Sequence, residues 1–375
     1  MDGDGAGILD LTLLERTVRE VVPGGPVLPR KETAEVVAQL REAAETSVDL
    51  VLDVMRLEQE QADAVRARAA SGPVLVVDRL AWAKASGQSL TAMVGTALSD
   101  DVRAAMQAGR IPNTLEMAAV LSVLSTRVLG QFDPFGGGPR PAGSGRLLLV
   151  APTIAQTEAT LGVPSRDFRL WVALHESTHR IQFAAAPWLR DHLSGLLAEL
   201  LGDDSSLAGL AGLKPVIKRL PEILRGEAQI IDVVTGPEKR DVLDQVMAVM
   251  SFLEGHADVV MDAVGPSVIP SLTTIRSRFE ARRDDGIGPG GTIGRLLGAD
   301  SKLQQYREGA DFVRGVVREV GHEGLAAVFT SPDTLPSFDE IRRPADWVAR
   351  MRTAGRIGAA DEQAAATDQA GADDR

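Results

Sequence analysis

Between residue 153 and about residue 350, apolar residues recur at spacings of three and four with few breaks, a pattern that packed helices satisfy. Composition explains what fills such a fold. Hydrophobic residues make up 44% of the 375-residue chain and aromatics only 4%. Alanine, leucine and valine therefore form the interior, and they pack most readily as helix against helix. With only 25% charged residues the chain can bury one large core or two modest ones, which excludes wholesale disorder.

Two absences narrow the chemistry. There is no cysteine, so disulfides, thiolate zinc ribbons, iron–sulfur clusters and cysteine nucleophiles are excluded, and any transition metal must be held by His, Asp or Glu. Fifty-two acidic residues against 40 basic ones leave a net charge of −12, which argues against general nucleic-acid binding. The Met-Asp-Gly-Asp-Gly start lacks the basic and apolar runs of a secretory signal. No apolar run reaches the length of a membrane span. The expectation is a cytoplasmic protein without nucleic-acid or membrane partners. Its oligomeric state is not legible in the sequence.

Along the chain, a short amphipathic helix over 8–21 precedes a Pro- and Gly-rich loop from Pro23 to Pro29. The periodicity predicts one long helix from Glu32 to Ala70, and another helix over 113–130. Pro73–Asp78 reads as a strand or an extended lead-in to the helix carrying Trp82. Asp133–Gly145 reads as a loop, and Arg146–Ala151 as the best strand, placed at a cleft edge. Helices are then predicted over 153–161, 165–186, 188–202, 206–220, 222–234, 238–264, 268–284, 301–321 and near 338–351. The organisation expected is an N-terminal segment to residue 22 and a single domain over 23–352, helical to about 145 and carrying the site over 146–352. Residues 353–375 form a disordered acidic tail in this reading. Within it, Gly358–Arg375 carries five acids against Arg375 and accounts for −4 of the net charge.

The predicted helix 165–186 contains His175-Glu176-Ser-Thr-His179. Residues four apart stand one above the other on a helix face, so both imidazoles can bind one ion while Glu176 reaches a water on it. Shuffling this composition produces roughly 0.004 such motifs per chain. Zinc at such a site lowers the pKa of its water to about 7, and Glu176 would take the proton and deliver it to the leaving group.

A third ligand must come from elsewhere. The metzincin extension is absent, because Gln182 and Ala185 occupy the positions of its Gly and His. The gluzincin alternative, a Glu on a downstream helix, is met by Ser251-Phe-Leu-Glu254-Gly-His256-Ala-Asp258. Glu254 is the expected ligand, and Asp258, four residues on, orients a ligand imidazole. His256, nearly opposite on that helix, is the competing ligand or else a pocket or packed residue.

These motifs carry a resemblance. Val128–Pro134, Leu147–Pro152, Asp167–Phe183, Pro187–His192, Phe252–Asp258 and Lys302–Gly309 together resemble a family of actinobacterial zinc metalloproteases, over roughly residues 20–350. The resemblance implies a zincin-like metallohydrolase fold, α+β but predominantly α-helical, with a small sheet beside the active-site helix and zinc as cofactor. Some members are associated with biosynthesis of a deazaflavin coenzyme. Ser86 departs from the family, where Asn is expected. Tyr306, the only tyrosine, is a candidate catalytic phenol that would stabilise an oxyanion, as in similar gluzincins. Gly286–Gly291 matches a dinucleotide fingerprint formally but follows a basic helix rather than a strand. The function expected is zinc-dependent hydrolysis of a peptide or small amide. The alternative is a catalytically silent metal-binding scaffold or interaction protein of the same fold.

Overall fold

The computed structural model describes residues 7–97, 100–136, 143–201, 239–284 and 299–358, with side chains except at 95–97, 100–102, 105, 201, 282–284 and 299–307. The predicted helices 206–220 and 222–234, the Gly286–Gly291 motif and most of the acidic tail lie outside the described residues. The chain runs through α1 (Leu11–Val21), α2 (Arg30–Met55), α3 (Gln59–Ala70), β1 (Val74–Val77), α4 (Arg79–Ala97), α5 (Asp100–Ala108) and α6 (Arg110–Ser125). Next come β2 (Gly130–Asp133), β3 (Arg146–Val150), α7 (Ala151–Leu161), α8 (Ser165–Ala185) and α9 (Leu189–Leu201). The last described elements are α10 (Arg240–Val264), α11 (Leu272–Asp284), α12 (Ala299–Leu325), α13 (Phe338–Arg342) and α14 (Pro344–Thr353). No described helix is long and apolar enough to cross a membrane.

The three strands form one sheet in the order β1-β3-β2, with β1 parallel and β2 antiparallel to β3. Val76 pairs with Leu149 on one side of β3, and Gly130 pairs with Leu149 on the other. The strand read as the cleft edge is thus the central one, with both its edges occupied. All five residues of β3 are buried. Alternate side chains of a strand point to opposite faces. Leu147 and Leu149 accordingly enter a core built on α2, α8, α10 and α12, while Leu148 and Val150 enter a second core shared with α1, α4 and α6.

Three further expectations are corrected. The predicted helix 32–70 is two helices, because Arg56 takes a left-handed conformation at φ 49° after Met55. The segment 113–130 begins its helix earlier, at Arg110, and stops at Ser125 so that Gly130 can open β2. Nothing local marks β2 as a strand, since its four residues carry no β-branched side chain. The piece near 338–351 is split at Pro344, which starts α14.

Helix α8 is fixed at both ends. Asp167 in its first turn accepts from the backbone N–H and hydroxyl of Ser271, at 2.9 and 2.6 Å, tying it to the start of α11. At the other end Arg68 of α3 donates to the Ala184 carbonyl at 2.6 Å, while Arg180 of α8 donates to the Ala69 carbonyl at 2.9 Å. Each helix thus satisfies terminal carbonyls of the other.

Candidate metal centre

Between Trp171 and Ala184 every residue of α8 is buried except His175 and His179, which keep partial exposure. Over this stretch the helix therefore opens toward solvent only at the two imidazoles, whose Nε2 atoms stand 3.3 Å apart. Glu254, in the middle of α10, brings its carboxylate to both. One oxygen lies 3.7 Å from His175 Nε2 and the other 3.7 Å from His179 Nε2. Among the described residues His175, His179 and Glu254 are the group able to hold a metal, their ligand atoms all within 4.8 Å of one another.

The donor set fits zinc. Ligands about 2.0–2.1 Å from a tetrahedral zinc stand roughly 3.4 Å apart; the imidazole nitrogens are 3.3 Å apart, and the carboxylate offers each of them a different oxygen at 3.7 Å. Two neutral imidazoles and one carboxylate leave a fourth position for water or substrate. His256 sits elsewhere. It is buried between the rings of Phe252 and Phe329, with centroids 5.8 and 5.6 Å away, and its Nδ1 faces the Gln182 amide nitrogen at 3.0 Å. Burial above all holds its pKa down to about 3, and the neighbouring His322 and His179 add to the depression.

Glu176 is buried beside the two histidines and accepts the backbone N–H of Phe132 in β2 at 3.2 Å. Gly130 makes room for this approach, since a Cβ there would lie 2.6 Å from Glu176 Cγ. Burial pushes the Glu176 carboxyl up to about 7, and Glu254 adds to the rise, while His179 and the Phe132 N–H oppose it. A carboxylate poised near neutral pH suits proton transfer in both directions.

The family model for zincin-like metallopeptidases matches residues 9–348. The chain belongs to that family. It is also similar to a crystal structure from Chloroflexus aurantiacus described as a "putative hydrolase with a novel fold", at 26% identity and a TM-score of 0.63. That similarity spans 92% of this chain and 99% of the other. No curated protein matches. The family implies a metal ion, typically zinc.

The remaining site expectations for this zincin-like metallopeptidase fall as follows. Asp258, one turn beyond Glu254, has a carboxylate oxygen 3.9 Å from Arg276, and its backbone carbonyl accepts from the same guanidinium at 2.8 Å. His175 Nδ1 stands 3.3 Å from the Met261 sulfur. Tyr306 falls on α12, and its side chain lies outside the described residues. Three contributors have no signal in local spacing. Gln182 bridges α8 to α10, the Phe132 N–H holds Glu176, and Gly255 meets Gly309 where α10 crosses α12. The glycines were legible as residue types, but their contact needs the fold.

Proposed function

We propose that the protein is a zinc-dependent hydrolase of the gluzincin kind that cleaves a peptide or small amide. One observation carries this reading: two imidazoles and a carboxylate converge on one point, beside a buried glutamate with a pKa near neutrality. His175, His179 and Glu254 would hold the ion, with Asp258 as an orienting acid. Zinc, when bound, supplies an acidified water and polarises the scissile carbonyl. Glu176 takes the proton from the attacking water at its carboxylate and returns it to the departing nitrogen. The Phe132 N–H keeps that carboxylate aimed while it is charged. Tyr306 is proposed as the oxyanion donor. Since β3 is paired on both sides, an extended peptide would pair with an edge strand, and of β1 and β2 it is β2 whose outer edge faces Glu176, through the Phe132 N–H.

Metal analysis of the purified protein should give about one zinc per chain. Glu176→Gln should retain that zinc and the fold while hydrolysis falls about 100- to 10,000-fold. Absence of zinc after reconstitution, or undiminished hydrolysis in Glu176→Gln, overturns the proposal. A zinc-loaded wild type that cleaves nothing in a broad peptide, amide and ester library supports the silent scaffold instead.

A further inference from the structure

Gln182 is completely buried, one turn beyond His179, and each of its amide atoms has a partner. Its Nε2 lies 2.8 Å from the Leu253 carbonyl oxygen and 3.0 Å from His256 Nδ1, and its Oε1 lies 2.9 Å from His179 Nδ1. A carbonyl oxygen can only accept, so the atom facing Leu253 must be the amide nitrogen. The flipped amide would set two carbonyl oxygens against each other in a buried place, which is costly. The orientation then propagates. Oε1 is an acceptor, so His179 Nδ1 carries a hydrogen and His179 Nε2 is left with its lone pair, the atom that faces Glu254 and His175. The second amide hydrogen points at His256 Nδ1, which must be the bare nitrogen of its ring.

The placement matters as much as the tautomer. Leu253 and His256 flank Glu254 on α10, so one side chain joins the imidazole of His179 to the turn that supplies the carboxylate. We infer that Gln182 is the positioning residue of the metal centre, selecting the ligating tautomer of His179 and fixing that ring against the Glu254 turn. The inference rests on the reading of His175, His179 and Glu254 as ligands. In the usual arrangement a carboxylate or backbone carbonyl serves the far nitrogen of a ligand imidazole. Here a neutral amide does so, and its donor end reads the position of the second helix.

The test uses the full chain with Gln182→Leu and Gln182→Glu. In metal-free, nitrogen-15-labelled wild type, NMR should show His179 protonated at Nδ1. Gln182→Leu should lose that preference and bind zinc about 10- to 100-fold more weakly in a chelator competition. Gln182→Glu keeps an acceptor for His179 but loses the donor to the Leu253 carbonyl, so it should retain the tautomer while losing the tie to the Glu254 turn, and loss of the Nδ1–H tautomer in this variant would also overturn the inference. Wild-type His179 protonated at Nε2 overturns the inference, whether or not the leucine variant folds. So does a folded Gln182→Leu with unchanged tautomer and unchanged zinc affinity. If wild type shows the Nδ1–H tautomer but takes no zinc, the ligand reading fails while the tautomer control stands.

Discussion

Glu254 and His256 are two residues apart on α10, about 200° around its axis, so they cannot share one environment. The carboxylate faces the two imidazoles of α8, while the ring of His256 is enclosed by Phe252, Phe329 and the Gln182 amide. That enclosure has a pH signature. The folded value near 3 lies below the ordinary 6.5, so His256 is neutral in the fold and the unfolded chain binds the extra proton. Its contribution to stability is complete above about pH 6.5 and is lost as pH falls from there toward 3. The slope from this one group is at most about 1.4 kcal/mol per pH unit. Thermal unfolding of the metal-free protein between pH 7 and 4 should show a falling Tm, and His256→Phe should flatten that fall; parallel profiles would remove His256 as its source. At this scale the histidine pair was legible because residues four apart are neighbours on any helix. The Glu254 position was legible only as an option, since spacing alone leaves open which face of α10 turns to the site. The role of Gln182 was invisible, because two of its three partners, Leu253 and His256, lie more than 70 residues away.

Among the elements, the crossing of α10 and α12 sets where Glu254 stands. A Cβ on Gly255 would lie 2.2 Å from the Gly309 carbonyl carbon, and one on Gly309 would lie 2.0 Å from the Ser251 carbonyl oxygen. Backbone meets backbone there, so no rotamer change relieves an added methyl. Gly309→Ala must push the helices apart and should cost about 1–3 kcal/mol. The displacement acts on the turn next to Glu254, so zinc affinity should fall together with the urea midpoint. A Gly309→Ala protein with unchanged midpoint and affinity would show that the crossing relaxes without moving the ligand. Helix periodicity made most of these elements readable. It also concealed the break at Arg56, because α2 and α3 continue the same apolar spacing across it. Strand β2 escaped for a different reason: its four residues are a strand only because they pair with Leu149 to Arg146 of β3.

Over the whole molecule, β3 divides two hydrophobic cores, and the candidate ligands belong to two helices of one of them. His175 and His179 belong to α8 and Glu254 to α10, separated by about 75 residues of chain, so an ion held by all three cross-links the larger core. A ligand that binds only the folded state stabilises it, by about 2.7 kcal/mol at one hundred times its dissociation constant. For a domain somewhat larger than 250 residues that corresponds to a rise in Tm of about 5 °C. The zinc-loaded protein should therefore melt about 5 °C above the same protein stripped with EDTA, and readdition of zinc should restore the difference. Glu254→Ala removes the only tie from α10 among the three candidate ligands, so its Tm should respond far less to EDTA or zinc while its metal-free fold persists. A full 5 °C response in Glu254→Ala would place the cross-link elsewhere. No response in a wild type that holds one zinc would mean that the unfolded chain binds the ion about as well as the folded one, so that the metal is not a cross-link of the native core.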